Sequence, residues 1–182
     1  AEIARVRAAL NLPPAYLLYV GTFEPRKNIA GLIEAYAQLP ADAPPLVLAG
    51  NRGWLFEETM ERIQRLKLHQ RVVWRENIPQ ADLPALYSGA SLLITPSFYE
   101  GFGLPALEAM ACGTIPIVSN RGSLPEVVGD VGAQVNPDDP AAIAHAIEHA
   151  LSDHTWRTEQ RAAGLARAAT FQWETTARIV LQ

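Results

Sequence analysis

A chain of 182 residues, 49% of them hydrophobic, is long enough to bury one well-packed core, and it reads as a single domain over residues 1–182. Fifteen basic against nineteen acidic residues leave a formal charge of −4, which excludes a nucleic-acid binder that works through a basic face and counterion release. The one cysteine, Cys112, excludes an internal disulfide, a zinc ribbon and a CxxC redox pair. With no apolar run of about 18 residues and no signal-peptide core in Ala1–Leu10, the chain is expected in the cytosol or at the inner face of its membrane.

The elements then alternate. A short apolar run at Ala15–Gly21 ends in glycine and reads as a buried strand, and Ile29–Gln38 follows with helical spacing. The pairing recurs as strand Pro45–Gly50 with helix Trp54–Leu68, strand Val72–Asn77 with helix Asp82–Ser88, and strand Ser91–Ser97 with helix Leu104–Ala111. Strand Ile115–Asn120 precedes the short helix Leu124–Val128, and Gly132–Asn136 is a sixth strand. From Asp139 the pattern is purely helical, through Ala141–Leu151, Thr155–Ala168 and Trp173–Leu181. Such alternation predicts an α/β fold: a Rossmann-like open parallel sheet of about six strands, helices on both faces, right-handed crossovers and a helical C-terminal segment.

In open sheets of this kind a ligand binds beyond the carboxyl ends of the strands, so the loops after the strands carry the functional signal. After the fourth strand, Glu100-Gly101-Phe102-Gly103-Leu104-Pro105-Ala106-Leu107-Glu108 sets two carboxylates eight positions apart around a glycine turn. Gly101 and Gly103 let backbone N–H groups approach a ligand, Pro105 suits a first helical turn, and a helix N-terminus attracts anions. The combination suggests a site for a phosphate with a polyol attached. At 1.5 Å per residue the two acids stand roughly 12 Å apart, too far to share a proton, so they contact different parts of an extended ligand. Glu108 is the only charge in Leu104–Ala111 and is expected to be buried, satisfied by vicinal ribose hydroxyls or by a structural arginine. Glu100 is a capping acid in the plain reading and a partner for a sugar hydroxyl in the functional one.

After the first strand, Arg26 and Lys27 place a guanidinium fork beside an ammonium, which suits a diphosphate and the charge on a leaving phosphate. Alone they would read as a solvated loop pair; beside the glycine turn the functional reading is preferred. Gly101–Ala106 also fits the G-x-G-x-x-A dinucleotide fingerprint, which raises an NAD-binding module as a second reading. That fingerprint belongs on the first βαβ unit with an acid about 20 residues on, whereas here it follows the fourth strand and the corresponding region offers Asn120. His145, Glu148 and His149 spell H-x-x-E-H, but Ile143, Ile147, Ala150 and Leu151 form that helix's apolar face and leave the trio toward solvent. His69 and His154 supply no obvious third ligand, so no metal site is assigned. Phe171, Trp173 and Ile179 read as core anchors of the last segment.

Taken together, Gly21–Asn28, Leu48–Trp54, Asp82–Tyr87 and above all Pro96–Gly113 make the chain resemble the donor-binding, C-terminal half of retaining GT-B glycosyltransferases. This is the group 1 family, with its glycogen synthase-like and bacterial mannosyltransferase-like members. The resemblance covers nearly the whole chain. It implies that Glu100 lies near the transferred sugar and Glu108 on the ribose hydroxyls, as the two acids of an E-x7-E motif. It implies too that Arg26 and Lys27, with Gly21 and the backbone of Gly101, Phe102, Gly103 and Leu104, hold the diphosphate, while the base sits near Asn77 and Ile78. Thr22 stands where many relatives have arginine, which leaves that work to Arg26, and relatives often carry glycine near Glu76. The implied reaction moves a hexose from a nucleoside diphosphate sugar, GDP-mannose favoured, to a glycan or lipid-linked acceptor held by an N-terminal domain that is absent here. It implies no metal and no other cofactor, and the fragment alone is expected to transfer little. The full-length enzyme's work on cell-envelope polysaccharide is compatible with peripheral membrane contact. A non-catalytic nucleotide-sugar-binding regulatory module is the alternative.

Overall fold

The computed structural model describes residues 1–172; the expected helix Trp173–Leu181, and with it Trp173 and Ile179, lies outside the described residues. Six strands, β1 (Leu17–Val20), β2 (Leu46–Ala49), β3 (Val72–Arg75), β4 (Leu92–Thr95), β5 (Ile115–Ser119) and β6 (Ala133–Val135), form one parallel sheet in the order β3-β2-β1-β4-β5-β6. Leu17 lies opposite Leu46 on one side and Leu92 on the other, so β1 is central. The central strands are continuous apolar runs because both faces are covered: Leu17, Tyr19, Leu48 and Ile94 point to one layer, Leu18, Val47 and Leu93 to the other.

Helices α2 (Ile29–Tyr36), α3 (Phe56–Arg65) and α7 (Pro140–Ser152) cover the first face, and α4 (Leu83–Gly89), α5 (Leu104–Ala111) and α6 (Leu124–Val128) the second. In α2 the apolar set Ile29, Leu32, Ile33 and Tyr36 is buried, and Pro40 lies just beyond the helix. Truncating one of these, Leu32→Ala, would cost about 2–5 kcal/mol. Helix α8 (His154–Ala168) packs on α5.

One helix escapes the sequence pattern. In α1 (Glu2–Ala9) only Val6 is buried, too little periodicity to predict a helix; docking on α4 and the Arg5 ion pairs to Glu2 and Asp82 hold it. Among the described residues no helix is long and apolar enough to cross a membrane.

Candidate functional site

The chain winds outward from β1 to β3 and then returns to the other side of β1 with β4. At this reversal the loops after β1 and β4 diverge to opposite faces and leave a crevice at the carboxyl edge, where doubly wound sheets bind ligands. Asn28 sets the geometry of both loops. It adopts a left-handed conformation (φ 53°), which asparagine tolerates better than most residues, and caps α2 by accepting from the Gly31 N–H at 3.2 Å. Its amide donates to the carbonyls of Pro96 (3.1 Å) and Pro137 (2.7 Å), so one side chain ties together the loops after β1, β4 and β6. The Phe98 N–H donates to the Arg26 carbonyl at 2.8 Å and closes the same seam.

Across that seam Arg26 and Lys27, in a 3₁₀ turn over Pro25–Lys27, meet Glu100. The Lys27 ammonium lies 2.7 Å from Glu100 Oε1, which also accepts from the Ser97 hydroxyl at 2.7 Å; Arg26 Nη1 lies 3.1 Å from Oε2. Lys27 and Glu100 are both more than nine-tenths buried, whereas Arg26 is partly exposed and turns its Nε to Glu24 at 2.9 Å. The Thr22 hydroxyl, against a burial cost, and then Arg26 hold Glu24 below the usual carboxylate range. A buried carboxylate needs compensation from charge and hydrogen bonds, and Glu100 receives both. The arrangement sets Arg26 at the mouth of the crevice and Lys27 buried behind it, both countered by the Glu100 carboxylate.

The turn after Glu100 leads into α5. Gly101 and Phe102 are exposed, and Gly103 sits at φ 96°, a conformation that glycine adopts without a Cβ clash. Helix α5 starts there with Pro105 in its first turn and no side-chain cap; the Ala106 and Leu107 N–H groups already donate to the Gly103 carbonyl, and the positive end of the helix lies at the Gly101–Leu104 turn. The expectation that Glu108 is buried is corrected. It is exposed, on the same stripe as Leu104 (47% exposed) and Ala111, because the buried residues of α5, Ala106, Ala109 and Met110, lie on its other side. Nor is its partner an arginine: Glu108 Oε2 accepts from the Tyr87 hydroxyl of α4 at 2.7 Å. Burial, and then this hydrogen bond, push the Tyr87 phenol well above its ordinary range.

The remaining expected site residues line the same edge without touching Glu100. Gly21 ends β1, donating to the Ala49 carbonyl at 2.9 Å. Asn77, left-handed at φ 55°, is exposed and its N–H donates to Asn51 Oδ1 at 3.1 Å. Ile78 is half-buried against the core beneath α4 and α5, the layer that also holds Tyr87. Since β3 is two strands from β1, Asn77 and Ile78 stand about 10 Å away along the edge, the reach of an extended ligand. His145, Glu148 and His149 lie on the exposed face of α7, with His149 edge-on to Trp156. Phe171 packs edge-to-face on Phe102, centroids 6.1 Å apart. Sequence reasoning did not single out Asn28, Ser97 or Tyr87; the only signal for Asn28 is an asparagine directly before an apolar helical run.

The profile of the family described as Glycosyl transferases group 1 matches residues 2–168. The chain belongs to this family. It is 47% identical to the O-antigen chain mannosyltransferase B of Escherichia coli over 87% of this chain and 42% of that protein. Among solved structures, sucrose-phosphate synthase from Thermosynechococcus elongatus aligns with a TM-score of 0.83 at 37% identity, over 97% of this chain and 47% of the other. Anabaena HepE, solved in complex with UDP and glucose, aligns with a TM-score of 0.85 at 24% identity, over 93% of this chain and 47% of the other. The chain thus spans under half the length of these relatives, and its six-stranded sheet is the Rossmann-like half expected of a GT-B glycosyltransferase.

Proposed function

We propose that this group 1 glycosyltransferase chain is the donor-binding half of a retaining enzyme. It moves a hexose, mannose in preference, from a nucleoside diphosphate sugar to a glycan or lipid-linked acceptor held by a second Rossmann-like half. The observation that carries the reading is the meeting of Lys27, Arg26 and Glu100 at the reversal of strand order, beside the uncapped start of α5. A diphosphate drawn to Arg26, Lys27 and the N–H groups around Gly101–Leu104 competes with Glu100 for its cations, and the released carboxylate accepts from a sugar hydroxyl. Glu108 keeps one oxygen on Tyr87 and offers the other to the ribose; Asn77 and Ile78 border the base. Two cations and a helix N-terminus neutralise the leaving diphosphate without a metal ion. GDP-mannose as donor is supported by the mannosyltransferase relative; HepE, with UDP and glucose, keeps UDP-glucose in the comparison.

Calorimetry with GDP-mannose, UDP-glucose and NAD tests this. GDP-mannose is expected to bind, weakly without the second half; binding of NAD alone overturns the reading. Arg26→Ala with Lys27→Ala is expected to weaken GDP about tenfold more than guanosine, since only the former carries the charge they meet. Equal losses for both ligands would remove the phosphate role.

A further inference from the structure

Trp54 is 91% exposed, although tryptophan is among the residues with most to gain from burial. It is not on a loose loop. The Leu55 N–H donates to the Phe23 carbonyl at 3.0 Å, and the Phe56 N–H to the Gly53 carbonyl at 3.2 Å. A Cβ on Gly53 would stand 2.5 Å from the Phe23 carbonyl oxygen, so the loops after β1 and β2 are packed backbone to backbone on either side of Trp54. The fold therefore anchors this residue from both neighbours and holds its indole outward.

Trp54 lines a cleft of about 610 Å³, within the range of small-ligand sites, between Thr22, Glu24, Pro25 and Arg26 of one loop and Arg52 and Gly53 of its own. Among the described residues Trp54 is the one large apolar side chain lining it. Arg52 is fixed at the lip: its guanidinium lies 4.7 Å from the Phe56 ring centroid and 5.0 Å from that of Trp74, and its Nε is 3.6 Å from Glu76. Arg26 belongs to both places, since it lines this cleft and also reaches Glu100. The cleft stands above the layer of Phe23 and Phe56, whereas Glu108 stands above the layer of Tyr87, with the Arg26–Glu100 pair between.

We infer that this cleft is a second carbohydrate subsite, taking the ring of a neutral hexopyranose against Trp54 while Arg26, Arg52 and Glu24 bond its hydroxyls. A pyranose has one face of C–H groups, which suits the negative face of an indole, and a rim of hydroxyls, which suits guanidinium forks and a carboxylate. A protein-docking patch would gather several large apolar side chains at its centre, whereas this cleft offers one indole and Pro25 beside the polar ends of Thr22, Glu24, Arg26 and Arg52. That the occupant is a further sugar of the acceptor glycan, reaching across from the second half, rests on the function proposed above; the subsite itself rests on the cleft.

The test follows the indole N–H resonance of Trp54 in the isotopically labelled chain during titration with α-linked mannotriose. A saturating shift at millimolar sugar is expected, with affinity reduced about tenfold in Trp54→Ala, roughly threefold or less in Trp54→Phe, and GDP binding unchanged in both. The subsite is overturned if mannotriose leaves the indole unmoved, if Trp54→Ala binds it equally well, or if Trp54→Ala weakens GDP instead. It is overturned too if the resonance moves with protein concentration alone, which would seat a second copy there. If GDP-mannose fails to bind while the mannotriose shift persists, the donor assignment falls and the subsite stands.

Discussion

Glu100 and Glu108 are the same side chain eight positions apart, and the fold treats them in opposite ways. Glu100 is buried with two cations and a hydroxyl, and its carbonyl accepts from the Ser123 hydroxyl at 2.9 Å. Glu108 is exposed with one phenol as partner. The first acid is a structural member of the site before any ligand arrives; the second is held ready and half free. On the proposed donor role, binding would begin with an exchange of partners at Glu100 and an addition at Glu108.

The comparison breaks most visibly at Glu100. Glu100→Gln leaves Lys27 buried without its counter-charge, and equilibrium denaturation is expected to show a loss of about 3–5 kcal/mol, softened where Lys27 rotates toward water. An unchanged midpoint would mean that the buried pair contributes nothing net. A smaller effect probes the partner of the other acid. The Tyr87 phenol is raised above its ordinary value near 10 by burial and then by Glu108, and Tyr16 is pushed up to about 12 by burial. Folding thus favours the protonated phenols. Their contribution is complete below pH 10, where the unfolded chain is protonated as well, and is lost as the pH climbs from about 10 toward 12 and beyond. Thermal unfolding followed from pH 8 to 11 is expected to show stability falling above about 10, with a shallower fall in Tyr87→Phe. The smallest expected change is in Glu108→Gln. It keeps an acceptor for Tyr87 at an exposed position and should leave stability within about 0.5 kcal/mol while weakening GDP about tenfold. A large loss of stability there would make the two acids alike after all.

Much of the fold was legible because a parallel sheet writes itself into sequence: five of the six strands are mostly apolar runs of four or five residues, and only the edge strand β6, Ala133–Val135, is shorter and carries a glutamine. The two loops that meet at the site were legible for the same reason, since each follows a strand. What sequence could not carry was which side of α5 would be covered. Leu104 and Leu107 made the helix look wholly buried, yet Leu104 shares an exposed stripe with Glu108, and a helical pattern records apolar character without recording what packs against it. Nor could it carry the pairing of Lys27 with Glu100, which are 73 positions apart and meet only through the strand order. Trp54 was readable as a residue but not as an exposed one, because its exposure depends on how Gly53 is wedged beneath Phe23.

Asn28 bears on how long the pocket keeps its shape. Its amide nitrogen donates both of its hydrogens, one to the carbonyl of Pro96 and one to that of Pro137, while its oxygen accepts from the Gly31 N–H. Slow hydrolysis of the amide would replace both donors with a carboxylate facing two carbonyls, turning a clasp of three loops into a point of repulsion. The shape of the pocket therefore hangs on the chemical integrity of a single buried amide.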